Sequence, residues 1–129
     1  MQVAVRLAQR GARHGEVPVG AVAVYEGRII ARAHNLVQRW QQPLAHAEAL
    51  CVLQAQKRLH SKYLSGVSVY STLQPCALCW QILVAARVQS LYFGAYDTSA
   101  PDQGWPTVVG GVQETACAHL LHTFFQMRR

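Results

Sequence analysis

Two short stretches hold the residues of this chain that could perform metal chemistry. Cys76 and Cys79 lie three residues apart, so on a helix their thiolates share one face and can bind one metal ion. Pro75 suits the start of that helix, because its missing N–H would have no partner there. His46 can supply a third ligand and leave the fourth position open for water. Three protein ligands plus water is the arrangement of a catalytic zinc site.

Glu48 follows His46 by two residues, so its carboxylate can flank the metal without ligating it. A carboxylate in that place can accept a proton from zinc-bound water and pass protons to a leaving group. A Cys-x-x-Cys pair alone also fits a redox motif or half of a zinc knuckle. A knuckle needs a second ligand pair close by, and a redox motif does not need an upstream His-x-Glu. The combination therefore favours a catalytic zinc centre.

The composition indicates a compact globular protein. The 129 residues are 51% apolar and 14% charged, which predicts a single domain over residues 1–129. No apolar run is long enough to span a bilayer, and the arginine-bearing N-terminal segment has no signal-peptide cleavage pattern. Four cysteines, of which two are assigned to metal, fit a reducing cytoplasm. Cys51 and Cys117 lie in apolar helical patterns and are predicted to be core thiols.

The charge balance favours a nucleic-acid partner. The net charge is +6, and ten of the twelve basic residues are Arg, which pairs with phosphate in a bidentate manner and stacks on bases. The alternative is that these charges only keep the protein soluble, since they are scattered along the chain. Charge alone therefore leaves RNA or DNA binding open.

Periodicity predicts alternating strands and helices. Helices are predicted over 1–14, 45–60, 76–88 and 112–127, strands over 19–25, 28–34, 66–72, 89–94 and 107–109, and loops over 35–44 and 97–105. The second helix is predicted to face inward through Ala49, Leu50, Leu53 and Ala55, and the last through Cys117, Leu120, Leu121, Phe124 and Phe125. This order implies a three-layer α/β/α domain with helix starts converging on the metal.

Several segments together resemble one known family over nearly the whole chain. The segments are 15–22 (Gly-Glu-Val-Pro-Val-Gly-Ala-Val), 34–35, 45–48, 72–79, 93–97 and 124–129. They are similar to the bacterial tRNA-specific adenosine deaminases, whose cytidine-deaminase-like fold is a three-layer α/β/α domain with a central mixed sheet of about five strands. The motif His-x-Glu followed by Pro-Cys-x-x-Cys is shared by zinc-dependent nucleobase deaminases and does not identify the substrate. The segment 16–21 and the C-terminal helix point to the tRNA branch.

The resemblance implies a reaction and a set of roles. The wobble adenosine of an anticodon loop would be flipped into a pocket and hydrolysed at C6 to inosine with loss of ammonia. The resemblance assigns zinc binding to His46, Cys76 and Cys79, proton transfer to Glu48, and substrate contacts to Asn35 (nucleoside), the Ala47 backbone (base edge), Val19 (base face), Asp97 (ribose) and Pro75. It also implies a homodimer.

Some of these residues also have a purely structural explanation. Asn35 could serve only to adopt a left-handed loop conformation, and Asp97 could be an ordinary turn residue. Arg128 and Arg129 could form a solvated tail. Gln74 stands where the family usually has Glu. For the whole protein, the alternatives are a deaminase of a free purine base or nucleoside, such as guanine or adenosine, and a non-catalytic zinc-containing RNA-binding module.

Overall fold

The structure is a computed structural model that describes residues 1–97 and 107–128. In chain order the elements are α1 (Gln2–Arg13), β1 (Gly20–Tyr25), β2 (Arg28–His34), α2 (Val37–Trp40), α3 (Ala47–Leu59), β3 (Val67–Leu73), α4 (Ala77–Ala85), β4 (Ser90–Ala95), β5 (Thr107–Val109) and α5 (Glu114–Gln126). The alternation predicted from the sequence is confirmed. The predicted loop over 97–105 lies outside the described residues, apart from Asp97.

The strands form one mixed sheet in the order β2-β1-β3-β4-β5. β1 runs antiparallel to both β2 and β3, whereas β3, β4 and β5 are parallel to one another. α1 and α5 contact each other on one face of the sheet, and α3 and α4 contact each other on the opposite face. The predicted three-layer α/β/α architecture with five strands is therefore confirmed.

Apolar side chains from both helical layers bury the centre of the sheet. β1 and β3 contribute Ala21, Ala23, Val67 and Val69 to the core. Close approach of the helices requires small residues on the strands. A Cβ at Gly20 would collide with the Ala4 carbonyl oxygen of α1, and a Cβ at Gly94 would collide with the Cys117 sulfur of α5. Cys51 and Cys117 are both buried, as predicted.

Two elements differ from the predictions by more than two residues. The segment 35–44, predicted as a loop, contains the four-residue helix α2. The predicted helix over 76–88 ends earlier, at Ala85, because the chain turns at Arg87, which has a left-handed φ of 58°. In the described part of the chain, no helix has the length and apolar character needed to cross a membrane.

Two predicted inward-facing residues point outward. Leu53 is 55% exposed, because the buried face of α3 is formed by Cys51, Val52 and Ala55, and Leu53 lies beside that face. Phe125 is 52% exposed, whereas its neighbour Phe124 is buried. The predictions for these two residues were wrong because helical periodicity identifies an apolar side without showing which part of it a sheet covers.

Candidate active site

Three ligand atoms meet where α3 and α4 begin. His46 is the N-cap of α3, Cys76 is the N-cap of α4, and Cys79 lies in the first turn of α4. The His46 Nδ1 atom is 3.2 Å from Cys79 Sγ and 3.7 Å from Cys76 Sγ, and the three ligand atoms lie within 4.8 Å of one another. A tetrahedral zinc ion with ordinary Zn–N and Zn–S bonds separates such atoms by about 3.6 Å. The three residues therefore fit zinc.

The two helix N-termini explain why the site favours anionic ligands. The partial positive charges of α3 and α4 both point toward the cluster, which stabilises thiolates there. Pro75 is buried and directly precedes the N-cap Cys76, so it lies at the start of α4 as the sequence predicted. His119 and His122, three residues apart on α5, are exposed, and they belong to no metal-ligand group among the described residues.

Cys79 needs a cation to act as a ligand. Its side chain is fully buried, and burial raises the pKa of the Cys79 thiol, with the neighbouring Glu48 and Cys76 raising it further. A divalent metal reverses this balance, because its charge outweighs the local cost of forming a thiolate. The donor set is thus suited to a metal and poorly suited to a free redox-active thiolate.

Glu48 is buried beside the three ligands. It lies in the first turn of α3 and is 4% exposed. Burial raises the pKa of Glu48, and the nearby His46 partly opposes that effect. Glu48 lines the same cavity as His46 and Cys76 and is not one of the three grouped ligands. Its carboxylate is therefore placed to exchange protons with a molecule bound in that cavity.

The cavity next to the metal ligands has a volume of about 290 Å³. That is near the lower end of ordinary ligand pockets, so it suits a single small group such as one base. Of the predicted substrate contacts, Val19, Asn35 and Asp97 line the cavity. Ala47 and Pro75 are buried and are not among its lining residues.

Asn35 links two parts of the cavity wall. Its Nδ2 group donates to the Val17 carbonyl at 3.2 Å, and its Oδ1 atom accepts the Ala47 N–H at 2.8 Å. The Asn35 φ is not in the left-handed region, so the loop-conformation alternative is wrong. The Ala47 N–H is already bonded within the protein. Asn35 keeps one further donor hydrogen and one further acceptor lone pair for a ligand.

Gln74 positions Asp97 at the cavity rim. The Asp97 N–H donates to Gln74 Oε1 at 3.0 Å, and the Gln74 N–H donates to the Ala95 carbonyl. A carboxylate could accept the same N–H, but an amide also brings a donor to the cavity lining. Gln74 therefore changes the hydrogen-bonding character of this wall relative to the usual Glu.

Glu16 is a structural residue of the site that sequence reasoning missed. It is 1% exposed, and its two carboxylate oxygens accept the N–H groups of Gln38 and Arg39 at 3.0 and 2.9 Å. Those N–H groups lie in the first turn of α2, so Glu16 caps this short helix from a distant part of the chain. Glu16 belongs to the family-like segment 16–21, but nothing in that segment's sequence indicates that its carboxylate caps a helix more than twenty residues away.

Glu16→Gln is expected to reduce the free energy of unfolding by about 1.5–3 kcal/mol, because an amide has one acceptor oxygen where two charged hydrogen bonds exist. Urea denaturation of the zinc-loaded protein measures this change. The matched control is Glu26→Gln, which removes an exposed carboxylate in the β1–β2 turn and should cost less than about 0.5 kcal/mol. Equal losses in the two variants would contradict a capping role for Glu16.

The comparisons with known proteins agree with this site. Residues 1–95 match the sequence profile described as the cytidine and deoxycytidylate deaminase zinc-binding region. The chain belongs to this family of zinc-dependent deaminases. Zinc is accordingly its cofactor, and the His46, Cys76 and Cys79 cluster is the zinc-ligand arrangement present in the fold.

Two curated relatives and one solved structure are named for the same activity. The tRNA-specific adenosine deaminase of Aquifex aeolicus (strain VF5) is 47% identical over 97 residues, which cover 75% of this chain and 64% of that protein. The enzyme of the same name from Bacillus subtilis (strain 168) is 39% identical over 142 residues, covering all of this chain and 88% of that protein. A solved structure from a study of A-to-I editing by tRNA:A34 deaminases is 33% identical, with a TM-score of 0.89 over 94% of this chain and 97% of that one.

Proposed function

We propose that the chain is one zinc-dependent deaminase domain over residues 1–129 that converts the wobble adenosine of a tRNA anticodon loop to inosine. The observation that carries the proposal is the buried, non-ligating Glu48 beside a three-ligand zinc arrangement in a cavity of about 290 Å³. The names of the relatives support adenosine in tRNA as the substrate.

In the proposed reaction, Glu48 provides the proton transfer. His46, Cys76 and Cys79 would hold the zinc ion, which would supply a Lewis acid and lower the pKa of a bound water. Glu48 accepts a proton from the attacking water as the water oxygen bonds to C6 of adenine. It then returns a proton to the departing amino group as the C6–N6 bond breaks. Adenosine and water are thereby converted to inosine and ammonia.

The cavity wall orients the base during these transfers. Val19 offers an apolar surface for the base face, and Asn35 has donor and acceptor capacity left for the base or ribose. Asp97, whose backbone N–H donates to Gln74 Oε1, contacts the ribose in this proposal. Ala47 and Pro75 lie behind the lining, and the Ala47 N–H holds the Asn35 side chain by donating to its Oδ1 atom.

The deciding experiment measures ammonia release by zinc-loaded protein. One arm offers an anticodon stem-loop with a wobble adenosine, and the other offers guanine, adenosine and related free purines at matched concentration. Turnover of the stem-loop alone, falling steeply with ionic strength, is the expected result. Turnover of a free purine with an inert stem-loop would establish the free-purine alternative. RNA binding without turnover of any substrate would indicate a non-catalytic zinc module.

The outer face of α3 and α4 supports the proposal of a homodimer. Leu44, Leu53 and Leu78 are 58%, 55% and 42% exposed and border an apolar groove of about 560 Å³ with Tyr63. Exposed apolar surfaces of this kind usually mark an interface. The same face on a second copy provides a self-complementary partner through a twofold axis.

Leu53→Asp is expected to convert the dimer to monomers, because it places a charge within the apolar groove. Light scattering after size exclusion should give about twice the chain mass of 14.3 kDa for the parent and the single-chain mass for the variant. Met127→Asp, at an exposed residue following α5, is the matched control and should remain dimeric. A monomeric parent would exclude the proposed interface.

We also propose a cytoplasmic location. All four cysteines are free in the structure, and two of them are zinc ligands that oxidation would remove from the metal.

A further inference from the structure

A groove with a basic lining runs along the edge of the sheet formed by β2. It consists of two adjoining cavities of about 460 and 280 Å³, which share Leu7, Arg10 and Arg32 as lining residues. Arg6 lines the smaller cavity and Lys57 lines the larger one. We call this feature the basic groove and define it by Arg6, Arg10, Arg32 and Lys57, all of which are exposed.

No acidic side chain in the described part of the chain neutralises the positive charge of the basic groove. Within residues 1–97 and 107–128, no Asp or Glu lines either cavity, and none of the four cations forms an ion pair. Three of the acidic residues, Glu16, Glu48 and Asp97, line the catalytic cavity instead. A concave surface lined by one sign of charge attracts a ligand of the opposite sign.

The basic groove lies directly beside the catalytic cavity. Alternate residues of one chain segment face the two sites: His34 and Leu36 line the groove, and Asn35 and Val37 line the catalytic cavity. Trp40, a few residues further along, lines the groove and is 56% exposed. A polymer that places one of its units in the catalytic cavity therefore needs to cross only this segment to reach the four cations.

We propose that the basic groove binds the RNA sugar–phosphate backbone next to the nucleotide held in the catalytic cavity, with Trp40 stacking on a neighbouring base. This inference rests on the proposed function. Arg binds phosphate with two parallel hydrogen bonds, which accounts for three arginines at the groove. An exposed Trp beside a cationic track is the combination that binds single-stranded nucleic acid without strict sequence preference.

The test measures binding apart from turnover. A fluorescent anticodon stem-loop is titrated into zinc-loaded Glu48→Gln protein carrying either the Arg10→Ser/Arg32→Ser pair or, as control, the Arg28→Ser/Arg58→Ser pair. The control removes two exposed arginines that line neither groove cavity. The groove pair should raise Kd about 10- to 100-fold and reduce the slope of log Kd against log salt by about 1.4, equal to two lost phosphate contacts on a single strand.

Trp40→Ala separates stacking from charge. It should raise Kd about tenfold and leave the salt slope unchanged, because no phosphate contact is lost. Zinc content and thermal unfolding verify that each variant is folded. If the Arg10→Ser/Arg32→Ser pair proves unstable, the Arg6→Ser/Lys57→Ser pair carries the same expectation.

The outcomes separate this inference from the proposed function. A parent that deaminates the stem-loop, together with equal losses in the groove and control pairs, would overturn the groove while leaving the activity intact. A parent that deaminates only free purines would overturn the proposed function. In that case the groove proposal would stand only if the groove pair still weakened stem-loop binding more than the control pair did. The slope of log Kd against log salt would also have to fall by about 1.4 in the groove pair.

Discussion

Glu48→Gln is expected to slow ammonia release about 10²- to 10⁴-fold while the protein keeps one zinc ion per chain. The amide fills nearly the same volume as the carboxylate but cannot accept a proton from water. Glu48 is not one of the three grouped ligands, so zinc content should not change. Inosine formation on the stem-loop and elemental analysis of zinc measure the two quantities on the same sample.

The matched control for this prediction is Glu114→Gln, which alters an exposed carboxylate in the first turn of α5. Its rate should equal that of the parent. Loss of zinc from the Glu48→Gln protein would show that the carboxylate supports the metal and would leave its chemical role unproven by rate alone. A Glu48→Ala protein that kept every activity of the parent would contradict the proposed role of Glu48 in proton transfer.

Removal of zinc should abolish turnover and lower thermal stability. Metal that binds only the folded chain stabilises it by an amount that grows with free zinc, about 4 kcal/mol at a thousandfold excess over Kd. The melting temperature of the parent should therefore rise with added zinc after chelation. Cys76→Ala should lose activity, bind less than one zinc per chain and show a much smaller rise.

Cys51→Ala is the matched cysteine control. Burial raises the pKa of the Cys51 thiol to about 12, so this thiol stays protonated at neutral pH, and it is outside the ligand group. The variant should keep one zinc ion and the same zinc-dependent rise in melting temperature, even if its baseline stability falls through the small cavity left behind. Equal zinc loss in the two cysteine variants would contradict the ligand assignment.

The zinc arrangement was predictable because its ligands are governed by short-range geometry. Cys76 and Cys79 are close on any helix, and Pro75 marks the start of α4 locally in the sequence. His46 comes from a different helix, and its contribution was inferred from motif resemblance rather than distance. The mixed sheet likewise followed from alternating periodicity.

Features that depend on distant contacts were not predictable. α2 is only four residues long, so its own sequence does not specify it, and it exists with a cap from Glu16 on a different segment. Leu53 was predicted to be buried but is 55% exposed, because helical periodicity identifies an apolar side of α3 without showing which part of that side another element covers.

The structure also changes the interpretation of Arg128. Its guanidinium lies 3.9 Å from the centroid of the Phe124 ring, so the side chain packs on α5 rather than extending as a free tail. Arg129 lies outside the described residues. Any RNA contact by Arg128 would therefore start from an ordered position.

The polar supports of the catalytic cavity have a consequence for how this protein can diverge. Glu16 and Asn35 bind main-chain atoms, at Gln38, Arg39, Val17 and Ala47, so the wall they hold does not depend on which side chains occupy the intervening positions. Within residues 36–44, Leu36 and Trp40 face the basic groove, whereas Val37 and Gln38 line the catalytic cavity and Gln42 Oε1 accepts the Leu44 N–H. Under the proposed function, substitutions at Leu36 and Trp40 are therefore expected to alter RNA affinity while leaving the deamination step intact, which makes these two positions suitable for a randomised library.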